Sequence, residues 1–172
     1  KESSAASDVY KRQVDLGDYQ ALHTWSVEHS DRFWTAVWDY FDVRGQRSES
    51  PVAQTVSDTE TTWFSGSQIN YAENILRWAH ECPDSPALIG LHETAQREEV
   101  SWKELAGQVG ALAQHFRSRG VRPGDVVCAV LPNIPQTVVA LLATASVGAI
   151  WTVVNTDFGT HGVKERFEQL LS

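Results

Sequence analysis

Two short loops carry the residue types that could bind a ligand, and each follows an apolar run. Residues 132–135 (PNIP) follow the run 126–131, and residues 155–159 (NTDFG) follow the run 149–154. In an open parallel sheet, ligands bind outside the carboxyl ends of the strands, where loops lead into helices. The second loop combines polar side chains, a glycine and a helix start, and helix N-termini attract anions. We therefore expect a candidate anion-binding edge there, although many strand-to-helix loops share this composition.

Other catalytic signatures are missing from the sequence. It contains no HExxH, no GxSxG, no GxGxxG and no GxxxxGK[ST] motif, and its six histidines are scattered. Cys82 and Cys128 form no CxxC pair and are interpreted as reduced thiols. The aromatic residues of segment 33–41 recur at helical spacing and are interpreted as core. The sequence thus predicts no metal site and no catalytic residue.

Hydrophobic periodicity predicts the elements that position these loops. Helices are expected at 19–27, 30–41, 71–80, 102–119, 134–147 and from 160 onward, and strands at 87–91, 98–102, 126–131 and 149–154. Ser30, Asn70, Ser101 and Asn133 are the predicted helix caps, and Ser101 with Glu104 fits a capping box. The polar segment 44–62 is interpreted as an exposed connection.

These elements predict an α/β fold. A helical N-terminal extension precedes the first part of an open, largely parallel sheet flanked by helices, because short connections alternate strand and helix. The runs 126–131 and 149–154 are continuously apolar, as in strands buried on both faces.

Composition narrows the class of protein. The 172 residues carry a net charge of −8, which argues against a protein that binds nucleic acid through its phosphates. No apolar run reaches the roughly 18 residues of a membrane span, and no signal peptide is visible. We expect a cytoplasmic protein without membrane or nucleic-acid partners. Residues 1–13 are interpreted as a non-native or disordered leader, and the sequence has no methionine.

Several segments resemble the adenylate-forming acyl-CoA synthetases. Residues 70–74 (NYAEN) are similar to the N-terminal extension of these enzymes, and residues 123–125 (PGD), 131–133 (LPN) and 148–150 (GAI) recur across the superfamily. Trp151 and residues 157–159 (DFG) most resemble the acetoacetyl-CoA synthetases, whereas acetyl- and propionyl-CoA synthetases usually have His and Phe-Gly-Gly at these places. Asn155 and Thr156 depart from the Ser-Pro expected before Asp-Phe-Gly.

The resemblance implies a domain organisation and a reaction. It assigns residues 14–82 to the N-terminal extension and 83–172 to the start of a truncated AMP-binding α/β domain. The parent enzyme would convert acetoacetate, ATP and CoA to acetoacetyl-CoA, AMP and diphosphate through an acyl-adenylate. ATP, Mg²⁺ and CoA would serve the parent, whose phosphate loop and lid lysine would lie beyond residue 172. The 172 residues alone would then be inactive and bind none of these tightly.

The resemblance also implies one site, and it leaves alternatives open. Asn155, Thr156 and Asp157 align with the part that lies near the CoA nucleotide in the acetyl enzymes. A ligase for acetate, propionate or another short acid is the first alternative. A non-enzymatic α/β module is the second, because no catalytic residue is visible in the chain. A Ser/Thr/Gly-rich loop with a lysine after residue 172 would favour the enzyme.

Overall fold

The computed structural model describes residues 18–57, 59–91, 93 and 96–170. The chain divides into two compact units, of which the first ends at Ile69 and the second begins at Asn70. The leader predicted at residues 1–13 lies outside the described residues. The domain boundaries predicted at 14–82 and 83–172 stay predictions.

The first unit begins with two helices, α1 (Tyr19–Glu28) and α2 (Ser30–Tyr40), close to the predicted bounds. Asp18 caps α1, because its side chain accepts a 2.8 Å hydrogen bond from a backbone N–H of the first turn. The predicted cap of α2 is wrong: Ser30 is already helical, and His29 occupies the cap position without a side-chain hydrogen bond. Only His29 separates the end of α1 from the start of α2. Ser30 therefore cannot adopt the non-helical backbone that an N-cap residue requires.

Aromatic side chains of α2 contact aromatic residues that follow it in the first unit. Trp34 meets Trp63 with ring centroids 5.8 Å apart, and Trp38 meets Phe64 at 4.9 Å. Ala36, on the same helix, is 3% exposed. Phe33 and Trp38 are half-buried, whereas Trp34 and Phe41 are 40% and 54% exposed, so the prediction that these aromatics are core residues is only partly confirmed.

The polar segment 44–62 is not the exposed connection that its composition predicted. It contains β1 (Gly45–Gln46), which pairs with β4 (Gln68–Ile69), and β2 (Ala53–Ser57), which pairs antiparallel with β3 (Glu60–Trp63). Most of these side chains are exposed, so the hydrophobic alternation that indicates a strand is missing. Threonine and valine are enriched in strands, and residues 55, 56, 61 and 62 of this ribbon are of these two types.

The second unit contains most of the predicted elements. In chain order they are α3 (Tyr71–Leu76), α4 (Trp78–Glu81), β5 (Pro86–Leu91), β6 (Arg97–Ser101), α5 (Trp102–Ser118), β7 (Val126–Val130), α6 (Pro135–Ser146), β8 (Ile150–Val154) and α7 (Thr160–Glu168). The single helix predicted at 71–80 is interrupted at Arg77, whose backbone stays helical, so that α3 and α4 follow each other directly. Strands β5 and β6 pair antiparallel with each other.

Helix α5 forms one side of the core and begins with the predicted capping box. The Glu104 N–H donates to the Ser101 hydroxyl oxygen, and the Glu104 carboxylate accepts from the Ser101 N–H at 2.9 Å and its hydroxyl at 2.7 Å. These bonds, first from the backbone and then from the side chain, hold the pKa of Glu104 below its usual value. The core joins α5 to α3 and α6 through Ala72, Leu105, Val109, Ala113, Val139, Leu142, Ala143 and Val147.

Helix α6 connects the two parallel strands. Pairing runs from Val126 opposite Ile150 to Val130 opposite Val154. Gly148 ends the helix with φ of +75°, in the left-handed region that favours glycine. The predicted cap Asn133 is wrong, because Ile134 is the N-cap and makes no side-chain hydrogen bond. Pro135 is the first helical residue, where its missing N–H costs little, so α6 begins one residue later than predicted and Asn133 precedes the cap position.

The strands β7 and β8 are not buried on both faces as predicted. Val130, Ile150 and Val153 are 41%, 51% and 42% exposed. Within the described residues these two strands pair only with each other, so part of their surface lacks cover. The parallel order likewise holds only for this pair, since β6 returns through a hairpin. The α/β class with a helical N-terminal segment is confirmed.

Candidate functional site

A shallow depression lies at the carboxyl ends of β7 and β8. It has a volume of about 380 Å³ and is lined by Leu131, Pro132, Asn133, Thr137, Val153 and Asn155. Both loops that the sequence singled out contribute to it. The geometric expectation that a site lies at this edge of the parallel strands thus has a physical cavity to support it.

The strand register explains why the two loops meet. Val130 lies opposite Val154, and the Leu131 N–H donates a 3.1 Å hydrogen bond to the Val154 carbonyl. The ladder therefore continues one residue past β7. Pro132 has no N–H and cannot continue the ladder, so the segments after β7 and β8 leave the sheet at neighbouring positions.

The first loop, residues 132–135, is held by the start of α6. The Thr137 hydroxyl donates to the Pro132 carbonyl at 2.7 Å, and the Ile134 N–H donates to the same oxygen at 3.0 Å. Asn133 is exposed, and its side-chain amide makes no hydrogen bond within the described part of the chain. Its donors and its acceptor are therefore available to a ligand.

The second loop, residues 155–159, is held by local hydrogen bonds. The Thr156 N–H donates to the Asn155 side-chain oxygen at 2.8 Å, and the Phe158 N–H donates to the Asn155 carbonyl at 3.3 Å. Gly159 is the N-cap of α7, again without a side-chain cap. All five loop residues are exposed, so the loop faces solvent in a fixed turn.

The charges around the second loop are balanced on α7. His161 lies 3.3 Å from Glu165, and Lys164 lies 3.6 Å from Glu168, both one helical turn apart. The Arg166 guanidinium lies over the Phe158 ring at 5.8 Å from its centroid. Such exposed pairs contribute little to stability, but the Phe158 contact keeps one cation close to the loop.

The structure brings together only part of the predicted site. Asn155 lines the depression, whereas Thr156 and Asp157 are exposed beside it and do not line it. Asn133, in the first loop that the sequence singled out, lines it as well, and so does Thr137 on the first turn of α6, which sequence reasoning did not consider. The signal that could have found Thr137 is its position on the first turn of the helix that follows this loop.

The far end of α6 is fixed by side chains from two earlier elements. The Asn70 side-chain amide donates to the Ala145 carbonyl at 3.0 Å, and Arg117 donates to the Ser146 carbonyl at 3.3 Å. Asn70 also caps α3, because its side-chain oxygen accepts from the Glu73 N–H at 3.2 Å, as predicted. The Ala145 carbonyl also accepts from the Gly148 N–H at 3.0 Å, so the Asn70 bond adds a second donor at this helix end.

The described residues contain no group of three or more His, Cys, Asp or Glu side chains that could hold a metal ion. In the same residues no helix has the length and apolar character needed to cross a membrane. The residues that line the depression offer neutral hydrogen-bonding groups and apolar surface, which suit the recognition of part of an organic ligand.

Comparisons with known proteins match both parts of the chain. Residues 19–75 match the model described as acetyl-coenzyme A synthetase N-terminus, and residues 75–170 match the model described as AMP-binding enzyme. A solved structure, an acetoacetyl-CoA synthetase from Streptomyces lividans, is 44% identical with a TM-score of 0.89 and covers 96% of this chain.

Curated relatives give a similar result. An acetoacetyl-coenzyme A synthetase from Rhizobium meliloti is 40% identical over 90% of this chain. A malonamoyl-CoA synthetase from Penicillium aethiopicum is 34% identical over 93% of it. The chain spans 23% of each relative and 26% of the Streptomyces chain. Because the AMP-binding enzyme model matches more than half of its residues, the chain belongs to the AMP-binding enzyme family.

Proposed function

We propose that this chain is the N-terminal part of an ATP-dependent acetoacetate–CoA ligase. The observation that carries the proposal is the 44% identity and TM-score of 0.89 to an acetoacetyl-CoA synthetase, which extend over 96% of the chain. We further propose the boundaries given by the resemblance: an extension at residues 14–82 and the start of the AMP-binding domain at residues 83–172.

The proposed reaction has two steps. A carboxylate oxygen of acetoacetate attacks the α-phosphorus of ATP, and the bond to diphosphate breaks. The CoA sulfur then attacks the carbonyl carbon of the acyl-adenylate, AMP leaves, and the thiol proton passes to solvent. Positioning and electrostatic stabilisation dominate such chemistry. We assign no catalytic residue to this chain.

We propose that Asn155, Thr156 and Asp157 lie against the nucleotide of CoA. The three residues are exposed at the carboxyl edge of a parallel strand pair, which is where such folds bind nucleotides. Asn155 lines the adjoining depression, and its amide can hydrogen-bond to an organic ligand. The role of these side chains is to bind and orient the thiol substrate.

ATP and Mg²⁺ are assigned to the parent enzyme. The described residues hold no cluster of carboxylates or histidines that suits Mg²⁺, so we assign the ion no ligand in this chain. We propose small-molecule substrates, a cytoplasmic location and no nucleic-acid or membrane partner. The net charge of −8 supports the absence of a nucleic-acid partner.

A second candidate is a ligase for another short acid. The 34% identity to a malonamoyl-CoA synthetase favours it, because relatives with a different named acid are similar over the same region. Both candidates share the adenylation step and differ in the acid.

The test uses the complete protein, expressed from the full reading frame. Exchange of labelled diphosphate into ATP is measured with acetoacetate, acetate, propionate and malonamate. We expect exchange to depend most strongly on acetoacetate. Preference for another acid would replace the substrate and keep the reaction class, and a lack of exchange with all four would refute a ligase for these acids.

A further inference from the structure

Strand β5 comes close to the start of α6 at Gly90. A Cβ on residue 90 would lie 3.2 Å from Cγ and 3.4 Å from Cδ of the Pro135 ring. Carbon atoms in ordinary contact lie about 3.5–4.0 Å apart, so a side chain at this position would press on the ring. Gly90 does not have a positive φ. The close approach of strand and ring, and not the backbone conformation, therefore favours glycine here.

Neither partner of this contact is free to move away. Pro135 is buried, and its ring is bonded to its own backbone nitrogen, so the ring cannot rotate out of the way. Leu88 packs against the core from the same strand and lies near Val100, which is 5% exposed, so the hairpin is anchored beside Gly90. A methyl group at residue 90 would therefore displace the Pro135 ring by a few tenths of an ångström.

Pro135 belongs to the loop that lines the depression, and short hydrogen bonds connect it to the rest of that loop. The Pro132 carbonyl accepts from the Thr137 hydroxyl at 2.7 Å and from the Ile134 N–H at 3.0 Å. The Thr137 N–H donates in turn to the Ile134 carbonyl at 3.0 Å. Because these bonds close around Pro135, a displacement of its ring also moves the lining residues Pro132, Asn133 and Thr137.

We propose that Gly90 is a positioning residue for the thiol substrate: it lets the β5–β6 hairpin lie against Pro135 and so sets the position of loop 132–135. This inference rests on the proposed function, in which CoA binds at this edge, and adds a residue of β5 that does not line the depression. Gly90 acts through the Pro135 ring and not through contact with the ligand. Since the proposed function assigns no contact with ATP or the acid to this loop, the effect should be confined to CoA.

The test measures KM for CoA, ATP and acetoacetate in the complete enzyme and in its Gly90→Ala variant. A misplacement of about 1 Å can cost about 100-fold, so a few tenths of an ångström should raise KM for CoA about 3- to 10-fold. The KM values for ATP and acetoacetate should change less than about twofold. General loss of packing would not separate the three substrates in this way.

A second variant tests whether the effect passes through the proline ring. Pro135→Ala removes Cγ and Cδ, the two atoms that the new methyl group would meet. In the Pro135→Ala background, Gly90→Ala should therefore change KM for CoA by less than about twofold. This comparison remains decisive if Gly90→Ala alone does not fold. A full rise in that background, an unchanged KM for CoA in Gly90→Ala, or an equal rise for all three substrates would overturn the inference.

Gly110→Ala is the matched control, because it makes the same change at an exposed position of α5. A Cβ there would meet no atom of the described residues within 4 Å, so all three KM values should stay unchanged. A rise in KM for CoA equal to that of Gly90→Ala would also overturn the inference. Failure of the proposed function is seen separately, as a lack of acid-dependent diphosphate exchange in the wild-type enzyme.

Discussion

Replacing Asn70 should destabilise the contact between α3 and the end of α6 in the second unit. Its side chain makes two hydrogen bonds, one that caps α3 and one that reaches the end of α6. Loss of an asparagine N-cap costs about 1 kcal/mol. The Ala145 carbonyl still accepts a 3.0 Å bond from the Gly148 N–H, so loss of the Asn70 bond costs about 1 kcal/mol rather than the larger penalty of a bare carbonyl.

Asn70→Ala should therefore lower the free energy of local opening of the second unit by about 2 kcal/mol. Asn70→Ser should lower it by about 1 kcal/mol, because serine keeps the cap of α3 but cannot reach α6. Amide hydrogen exchange of α6 in the complete protein measures these values. A loss of about 2 kcal/mol means roughly 25-fold faster exchange, and about 1 kcal/mol roughly fivefold.

Gln108→Ala is the control, since Gln108 is an exposed amide on α5, and it should change exchange by less than about twofold. Wild-type exchange rates in Asn70→Ala would refute the argument that this residue joins α3 to α6. Equal effects of the serine and alanine variants would refute the separate contribution of the cap.

Three further substitutions have expected outcomes. Leu142→Ala removes a core side chain that is 2% exposed and should cost about 2–5 kcal/mol in the urea unfolding of the complete protein. Gly148→Ala places a Cβ 3.2 Å from that of Pro123 at a positive φ and should cost at least about 1–2 kcal/mol in the same assay. Glu104→Gln weakens the bonds from Ser101; the wild-type advantage in Tm should be full above pH 4.5, the usual pKa, and disappear as the pH falls through the lowered pKa of Glu104.

Controls separate these effects from general damage. Leu170→Ala removes a leucine that is 41% exposed and should cost much less than Leu142→Ala. Gly107→Ala adds a Cβ in open space within α5 and should stabilise by up to about 1 kcal/mol. A wild-type advantage over Glu104→Gln that grew toward low pH would contradict the direction of the pKa change.

Features governed by neighbours in sequence were predictable. The capping box of Ser101 and Glu104 depends on a spacing of three residues, and the end of α6 depends on Gly148. The ribbon of β2 and β3 was missed because its side chains are mostly exposed and show no hydrophobic alternation.

The candidate site was only half predictable, because it depends on pairing between distant segments. Asn155 was assigned through a family resemblance, and the loop containing Asn133 was noted only as a strand end. Their meeting requires the register that sets Val130 opposite Val154, which local sequence does not encode. The cap role assigned to Asn133 was wrong because α6 begins one residue later than predicted, with Ile134 as the N-cap.

The bond between Asn70 and Ala145 also sets an order of events during synthesis. Its partners are 75 residues apart, so at about 5–20 residues per second a ribosome makes the second about 4–15 s after the first. During that interval α3, with 6 residues, is too short to persist alone. The NYAEN segment therefore stays available to proteases and chaperones until α6 has left the ribosome and can hold it.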